Sequence, residues 1–332
     1  MHCLTRLSKR WRRVVKKSEM TLIIGEKETR KLIDMPRAVK VVEQMFRDRA
    51  AGKMRSLPRR RLKGSDKQLN IMASWHTDWD LLCLRAYAGA SNTITLYNGR
   101  TGEIRAILNA RYLSSLRTGA ASGVAAKYLA PAKTAALGLI GPGWQATFQV
   151  EATVHSCKVG QVLVYGRNPK KTKDFIRQMR RSLAVEFKES ASLAEIEAES
   201  DILVVATDAT SPLIDGGRLK DEVLVISMGA NQPVKHEISG DLIRRMDLVV
   251  TDDLPTAKTD SGDLIEACKT GIISWETVVP LEKIVAHGKP APRPKKILFQ
   301  SNGIADEDLA VGWYVLEQAR RKKAKVRHVA EI

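Results

Sequence analysis

Cysteine pairs, histidine clusters and long hydrophobic runs are all missing from this 332-residue sequence. The four cysteines form no Cys-x-x-Cys pair, which predicts reduced thiols in a cytoplasmic protein, with one reactive thiol as the alternative. The six histidines form no His-x-x-x-His pair, so no metal site is expected. No run of about 18 apolar residues occurs, and a membrane-spanning helix is therefore not expected.

Negative charge is also in short supply, because 37 acidic residues face 55 basic ones and the formal net charge is +18. The basic residues are spread over separate clusters at 59–61, 170–173 and 320–325, without interleaved aromatic residues or a nucleic-acid-binding motif. We therefore expect small anionic molecules rather than nucleic acid as partners.

Residues 1–19 contain seven Lys or Arg residues. Apolar residues between them at helical spacing would suit a short basic amphipathic helix. The segment lacks the apolar core of a signal peptide, so we interpret it as a basic N-terminal extension ahead of a folded chain that starts near Met20.

The rest of the chain predicts an α/β fold in two parts. Residues 131–303 alternate short, β-branched apolar runs with helices, which is typical of a doubly wound parallel sheet buried on both faces. Residues 20–130 predict a second sheet with helices, including β-rich runs at 69–73, 81–87, 93–97 and 104–108. A final helix, at about 306–322, has an apolar face that needs a partner. We expect the parallel-sheet domain, 131–303, to be inserted in a discontinuous α/β domain formed by 20–130 and 304–332.

The segment G-L-I-G-P-G-W-Q-A at 138–146 ends a predicted strand and opens a helix. Gly141 permits a tight turn, Gly143 lets the backbone approach a pyrophosphate, and Ala146 allows close packing of helix on strand. The helix N-terminus adds N–H groups and positive potential. This context predicts a Rossmann dinucleotide-binding site with contacts from Gly141, Pro142, Gly143, Trp144, Gln145 and Ala146.

The end of the next predicted strand bears on the choice of cofactor. An NAD enzyme normally has Asp or Glu there, which accepts a hydrogen bond from the ribose 2′-hydroxyl. This chain has Arg167, Asn168 and Lys171 instead, and the cations suit a 2′-phosphate. We therefore predict NADP(H) as the preferred cofactor, with NAD(H) as the alternative.

The segment R-T-G-A-A-S-G at 117–123 resembles the ornithine cyclodeaminase/mu-crystallin family. Segments at 140–146, 205–212, 228–237 and 299–309 match the order and spacing of the same family. The resemblance implies a homodimer in which the discontinuous domain supplies the subunit contact and the substrate pocket. From the matching segments we expect further cofactor contacts from Thr118, Thr207, Met228, Gly229, Ser301 and Gly303.

Family members act on an imine at an α-carbon next to a carboxylate. The resemblance implies that Arg117, Arg85 and one arginine of 59–61, for which Arg60 is chosen, hold this carboxylate. The planar guanidinium group of arginine can bind a carboxylate through two charge-assisted hydrogen bonds.

Departures from the family pattern bear on the reaction. Arg85 replaces a usual lysine, Asn70 stands where cyclodeaminases have a carboxylate, and Asn231 replaces the aspartate that serves them as acid and base. An amide exchanges no proton near neutral pH, so Asn231 can orient a substrate nitrogen but cannot act as a general base. Ornithine cyclisation, which needs repeated proton transfers, is therefore less favoured than reduction of an iminium.

The sequence thus predicts an NADP(H)-dependent oxidoreductase acting on a small α-imino or α-amino acid. The alternatives are a cyclodeaminase-like, NAD-dependent ammonia lyase with a relocated base, and a mu-crystallin-like protein that binds cofactor and ligand with little turnover. If a proton donor is required, His76 and His236 are candidates by residue type.

Overall fold

The computed structural model describes residues 20–324 and 326–329. The predicted basic extension, residues 1–19, lies outside these ranges. In chain order the first elements are β1 (Thr21–Ile24), α1 (Glu26–Leu32), α2 (Met35–Ala50), β2 (Met54–Lys63), β3 (Gln68–His76), β4 (Leu81–Ala88), β5 (Ser91–Asn98), β6 (Ile104–Asn109) and α3 (Arg111–Leu129). They are followed by β7 (Ala136–Ile140), α4 (Trp144–Ser156), β8 (Gln161–Tyr165), α5 (Pro169–Met179), β9 (Glu186–Glu189), α6 (Leu193–Glu199), β10 (Ile202–Val205), β11 (Thr210–Ile214), β12 (Val223–Ser227), β13 (His236–Ile238), α7 (Gly240–Arg244), β14 (Leu248–Thr251), α8 (Leu254–Asp260), α9 (Gly262–Lys269), a 3-10 turn (Trp275–Thr277), β15 (Val278–Pro280), α10 (Leu281–His287), β16 (Lys296–Gln300), α11 (Ala305–Arg321) and β17 (Arg327–Val329).

Two large sheets organise the described chain. The first sheet has the strand order β17-β1-β6-β5-β4-β3-β2, and all its neighbouring strands are antiparallel except β1 and β6. The second sheet has eight parallel strands in the order β15-β14-β16-β12-β10-β7-β8-β9. The segment that forms the second sheet interrupts the chain of the first. The predicted fold class, an α/β protein with a doubly wound parallel sheet, is confirmed.

Helix α2 shows how the sequence produces one of these elements. Asp34 caps its N-terminus by accepting a hydrogen bond from the backbone N–H of Arg37, and Pro36 occupies the first turn, where its missing N–H costs no helical hydrogen bond. Val42 and Phe46, four residues apart, are fully buried on the inward face of the helix.

Helix α3 contacts β12 and β16 of the second sheet, packs against α2, α4 and α11, and is buried over nearly its whole length. It packs closely against α4, since a Cβ atom at Gly119 would lie 2.5 Å from the carbonyl oxygen of Phe148. At Gly123 the hydroxyl of Ser156 would lie 2.9 Å from such an atom. The small residues of α3, the helix that carries Arg117, therefore allow it to contact α4, the helix that follows the glycine turn.

The four predicted strands of the first part are present as β3 to β6. Strand β2 was not predicted, because its sequence is basic and contains Pro58, which is uncommon inside a strand. Its pairing with β3 shifts register between Leu57 and Arg60, so one extra residue lies in β2 at the proline. Among the described residues, no helix combines the length and the apolar character needed to cross a bilayer.

Candidate active site

The carboxyl ends of four neighbouring strands lie in line at one edge of the second sheet. Strand pairing places Ile140 of β7 opposite Val205 of β10, Val205 opposite Ser227 of β12, and Ser227 opposite Gln300 of β16. The loops that follow these residues are therefore neighbours. This edge is where doubly wound sheets bind ligands, and its loops contain most of the predicted cofactor contacts.

The glycine turn after β7 has two glycines with different roles. Gly141 has a φ of +92°, and a Cβ atom there would lie 2.5 Å from the carbonyl oxygen of Ala206, so the turn itself requires glycine. Gly143 caps the N-terminus of α4, and nothing lies within 4 Å of the position that its Cβ would take. The free N–H groups of α4 thus face open space that fits a pyrophosphate.

The other residues of the turn either line the cleft or pack and hydrogen-bond at the start of α4. Pro142 lines the same cleft as the glycines, and Ala146 is fully buried. Trp144 donates a hydrogen bond from Nε1 to the hydroxyl of Ser115 at 2.8 Å, and Gln145 donates to the Ser115 carbonyl oxygen at 3.0 Å. The start of α4 is therefore fixed to α3, and Gln145 lines a small neighbouring cavity instead of the cleft beside the glycine turn.

The cofactor cleft has a volume of about 590 Å³ and continues from the glycine turn to the end of β8. Arg167, Asn168 and Lys171 line it there, as does Thr207 from the loop after β10. Asn168 caps α5 by accepting a hydrogen bond from the backbone N–H of Lys171 at 3.1 Å, so its side chain has a structural role. Arg167 and Lys171 are exposed cations at the cleft wall.

A buried glutamate holds two of the loops at the sheet edge. Glu237 is fully buried and accepts hydrogen bonds from the backbone N–H groups of Thr207, Met228 and Gly229. Gly229 is needed for this contact, since a Cβ atom there would lie 2.0 Å from the carbonyl oxygen of Thr207. Three predicted cofactor contacts are thus positioned by one carboxylate.

A second carboxylate, Asp263, lies against Glu237. Its side chain accepts a hydrogen bond from the backbone N–H of Glu237 at 3.2 Å. Burial, and then the charge of Glu237, raise the pKa of Asp263 to about 8, and burial also raises the pKa of Glu237. His236 Nδ1 lies 3.4 Å from Asp263, so this candidate proton donor contacts the buried carboxylate pair. Neither His236 nor His76 lines the small polar cavity described next.

A second cavity, the candidate substrate site and called the substrate cavity below, is small, about 200 Å³, and strongly polar. Its lining contains three arginines, and Met228 is the one aliphatic residue among the described residues that line it. The lining residues are Arg59, Arg85, Tyr87, Asn92, Ser114, Arg117, Thr118, Gln145, Met228, Asn231, Ser301 and Asn302. The sequence-predicted Arg117, Arg85 and Asn231 are therefore brought together, with Thr118, Met228 and Ser301 beside them.

Arg117 is held by two carboxylates of α11. Its Nη1 donates to Glu307 at 2.7 Å and its Nε donates to Asp308 at 3.2 Å. Burial alone would lower the pKa of Arg117, but the charges of Asp308 and Glu307 raise it, so the guanidinium remains charged. Burial raises the pKa of Glu307 to about 8, although Arg117 opposes the shift.

Arg85 is buried with few acceptors around it. It is 3% exposed, its Nε is 3.5 Å from Asp308, and its Nε and Nη1 have no hydrogen-bond partner among the described residues. Burial lowers the pKa of Arg85, and the charge of Asp308 opposes this shift. A buried guanidinium with unused donors favours an anionic ligand.

The choice of Arg60 from the basic triplet is corrected by the structure. Arg60 is exposed and does not line the cavity, whereas Arg59 is buried and does. Arg59 and Arg61 both bond to Asp260, which places them on the face of β2 opposite Arg60. Residue spacing alone cannot show which arginine faces inward, because the irregular register next to Pro58 changes the alternation of side chains.

The loop after β16 completes the wall of the cavity. Asp252 accepts hydrogen bonds from the backbone N–H of Asn302 at 2.6 Å and Gly303 at 2.7 Å, and from the hydroxyl of Ser301 at 3.2 Å. Gly303 does not line either cleft and instead provides room for Arg117. The described residues contain no group of three His, Cys, Asp or Glu side chains suited to a metal ion.

Sequence reasoning missed Arg59 and the carboxylates that hold the site. Glu237 and Asp308 stand inside segments that matched the family pattern, and that position was the available signal. Asp252 and Asp260 carried no comparable signal, because their roles depend on contacts across the fold.

The chain is similar in sequence and fold to several known proteins. An alanine dehydrogenase from Archaeoglobus fulgidus is 31% identical to this chain, covering 91% of it and 96% of the relative. The solved structure of Thermococcus litoralis Delta(1)-pyrroline-2-carboxylate reductase with NADH and L-proline is 30% identical, with a TM-score of 0.87 over 91% of this chain and 98% of the other. An archaeal alanine dehydrogenase dimer with bound NAD is 28% identical, with a TM-score of 0.85 over 93% of this chain and 99% of the other.

The model of one protein family matches residues 19–323, nearly the whole chain. The predicted resemblance is confirmed, and the chain belongs to the ornithine cyclodeaminase/mu-crystallin family.

Proposed function

We propose that this protein is an NADP(H)-dependent oxidoreductase that reduces a small α-imino acid or oxidises the corresponding α-amino acid. The observation that carries the proposal is a small cavity with three arginines beside a dinucleotide-binding cleft, both at one sheet edge. Relatives named as alanine dehydrogenase and as a pyrroline-2-carboxylate reductase support the same substrate class.

The substrate carboxylate is assigned to Arg85, with Arg59 and Arg117 beside it. Arg85 has unused donors, whereas several donors of the other two already bind protein oxygens. A carboxylate on Arg85 would supply the hydrogen-bond acceptors that this buried guanidinium lacks. The small volume of the cavity and the mostly polar described residues that line it favour a short, polar substrate.

Catalysis in this proposal depends on how the substrate is positioned for hydride transfer. The nicotinamide cofactor supplies or accepts the hydride when it is bound. Asn231, which lines the cavity, is assigned to hydrogen-bond the substrate nitrogen without exchanging a proton. Reduction of an iminium that is already protonated requires this orientation and the cationic anchor, so the reductase reaction fits better than ornithine cyclisation.

The preference for NADP(H) is proposed from this chain's own residues. The related structures described above hold NADH or NAD. Here, however, Arg167 and Lys171 line the cleft at the end of β8, and no carboxylate lies between Tyr165 and Lys171. Two cations at this position favour a 2′-phosphate over a free 2′-hydroxyl.

We also propose that the protein is a homodimer joined through the first sheet. Leu57, Leu62, Ile71 and Leu82 are exposed on the neighbouring strands β2, β3 and β4. Large exposed apolar side chains on neighbouring strands of one sheet are typical of a protein interface. In this proposal residues 20–130 and 304–332 form the substrate and dimerisation domain, and 131–303 form the cofactor domain.

The function is tested by following NADPH and NADH oxidation with pyruvate plus ammonia, oxaloacetate plus ammonia, glyoxylate plus amines and cyclic ketimines. We expect turnover with at least one imino acid and a lower KM for NADPH than for NADH. Tight NADPH binding without turnover on any of them would favour a ligand-binding protein. Ammonia release from ornithine with catalytic NAD would favour a cyclodeaminase.

The substrate site is tested by Arg85→Met. We expect kcat/KM to fall about 100-fold or more, because the substrate carboxylate loses its main donor. NADPH binding, measured by fluorescence, should stay near the wild-type value. Arg181→Met is the matched control, since this arginine is exposed and lines neither the cavity nor the cofactor cleft. Equal kinetics for Arg85→Met and Arg181→Met would remove Arg85 from the site.

A further inference from the structure

Asp260 is a fully buried carboxylate at the end of α8, on the cofactor side of the molecule. Its Oδ2 accepts a hydrogen bond from Arg59 Nη1 at 2.6 Å, and its Oδ1 accepts one from Arg61 Nη1 at 2.6 Å. Both arginines belong to β2 of the first sheet. One carboxylate therefore joins two cations from the other part of the chain.

The two arginines reach different walls of the substrate cavity. Arg59 lines the cavity directly, and its Nη2 also donates to the carbonyl oxygens of Asn302 and Gly303, each at 3.0 Å. Arg61 donates from Nη2 to the carbonyl oxygen of Asn231 at 3.2 Å. Asp260 thus connects a cavity cation with the loop that carries Asn231.

Within the described part of the chain, all the acceptors that bond the Arg59 guanidinium come from the cofactor side. Its bonded partners are Asp260, Asn302 and Gly303, while its Nε has no hydrogen-bond partner among the described residues. If these acceptors moved away, Arg59 would lose the contacts that fix its position in the cavity. The position of Arg59 in the cavity therefore depends on the contact between the two sheets.

We propose that Asp260 is a positioning residue that fixes Arg59 in the substrate cavity and so makes carboxylate binding depend on contact between the two sheets. It touches neither the cavity nor the cofactor cleft and acts through Arg59. This inference rests on the proposed function, because it assumes that the cavity binds a carboxylate substrate.

The test is Asp260→Asn, with Asp253→Asn as the matched control. Asp253 lies at the other end of the same helix and bonds to Arg49 of α2, so it also joins the two parts, but away from the cavity. Asparagine at 253 can still cap α8. We expect Asp260→Asn to raise the substrate KM about 10-fold or more, with kcat and NADPH affinity changed less than about 3-fold. Asp253→Asn should leave the KM near the wild-type value.

A wild-type KM in Asp260→Asn, or an equal rise in both variants, would overturn the proposal. If Asp260→Asn fails to fold by circular dichroism, Asp260→Glu decides, because it keeps the charge but moves the carboxylate by one methylene. We then expect the KM to change about 3-fold or more at constant kcat, and an unchanged KM would contradict the positioning role.

A second readout separates this idea from the proposed function. If no imino acid is turned over by the wild-type protein, the melting temperature is measured with NADPH and either pyruvate or oxaloacetate. The acid should raise the melting temperature of the wild-type protein and of Asp253→Asn, but not that of Asp260→Asn. If Asp260→Asn does not fold, the acid should raise the melting temperature of Asp260→Glu by less than that of the wild-type protein. Absence of the shift in wild type, or its full retention in the Asp260 variant, would refute the inference.

Discussion

Gly303 lies so close to Arg117 that a Cβ atom at position 303 would be 2.3 Å from the Nη1 atom of the guanidinium. Gly303 also has a φ of +73°, which a residue with a side chain rarely adopts. The arginine on the long buried helix and the glycine after the last parallel strand therefore constrain each other. The position of Arg117 depends on a residue without a side chain as much as on its two carboxylate partners.

Replacing this glycine tests the relationship. We expect Gly303→Ala to lower kcat/KM about 100-fold, because Arg117 must move away from the new methyl group. The control is Gly288→Ala, where φ is +88° but nothing lies within 4 Å of a Cβ atom. Both variants should lose about 1 kcal/mol or more of folding free energy through backbone strain. Similar kinetics in the two variants would contradict the importance of the contact.

The glycine turn provides a second matched pair. Gly143→Ala should leave the melting temperature without cofactor unchanged, because no protein atom opposes the methyl group. Gly143→Ala should weaken NADPH binding about 10-fold or more, since the alanine methyl group would occupy space that the pyrophosphate requires. Gly141→Ala should instead lower the melting temperature without cofactor, because the methyl group meets the Ala206 carbonyl. Thermal melting with and without NADPH checks both, and normal NADPH affinity in Gly143→Ala would contradict the placement.

Cofactor preference is tested at the end of β8. Arg167→Ala should raise the KM for NADPH about 10-fold or more and change the KM for NADH less than about 2-fold, because only NADPH has the 2′-phosphate. Lys170→Ala serves as the control, since Lys170 is an exposed cation that does not line the cleft. A parallel rise for both cofactors would mean that Arg167 does not discriminate between them.

The buried carboxylate Asp263 predicts how stability depends on pH. Its pKa rises from an ordinary value of 3.8 to about 8 on folding, through burial and the charge of Glu237. Between these values the folded protein binds more protons than the unfolded chain, so the free energy of unfolding should fall as pH rises, by up to about 1.4 kcal/mol per pH unit. Above the higher value this contribution should level off.

Asp263→Asn should flatten this dependence. Urea unfolding at about pH 5 and about pH 8 would show the variant gaining stability relative to wild type at the higher pH. Asp241→Asn is the control, since Asp241 is an exposed partner of Arg244. An unchanged slope in Asp263→Asn would show that the carboxyl is ionised in the folded protein across this range.

Local sequence patterns were sufficient to predict the glycine turn of the cofactor cleft, but they were not sufficient to predict every residue of the substrate cavity. A glycine turn between a strand and a helix can be recognised because its steric requirements are local, and Gly141 and Gly143 occupy the predicted places. The choice between Arg59 and Arg60 depends on an irregular strand register near Pro58. The role of Asp260 depends on two parts of the chain that meet only in the fold.

The close contact between α3 and α4 limits how this protein can be divided. The side of α4 that carries Phe148 and Ala152, both buried, is covered by a helix that precedes the inserted segment in sequence, at Gly119 and Gly123. A chimera that exchanged residues 131–303 alone with a relative would pair this surface with a foreign helix. Recombination between relatives should therefore succeed only when the crossover lies before Arg111, so that both helices are inherited together.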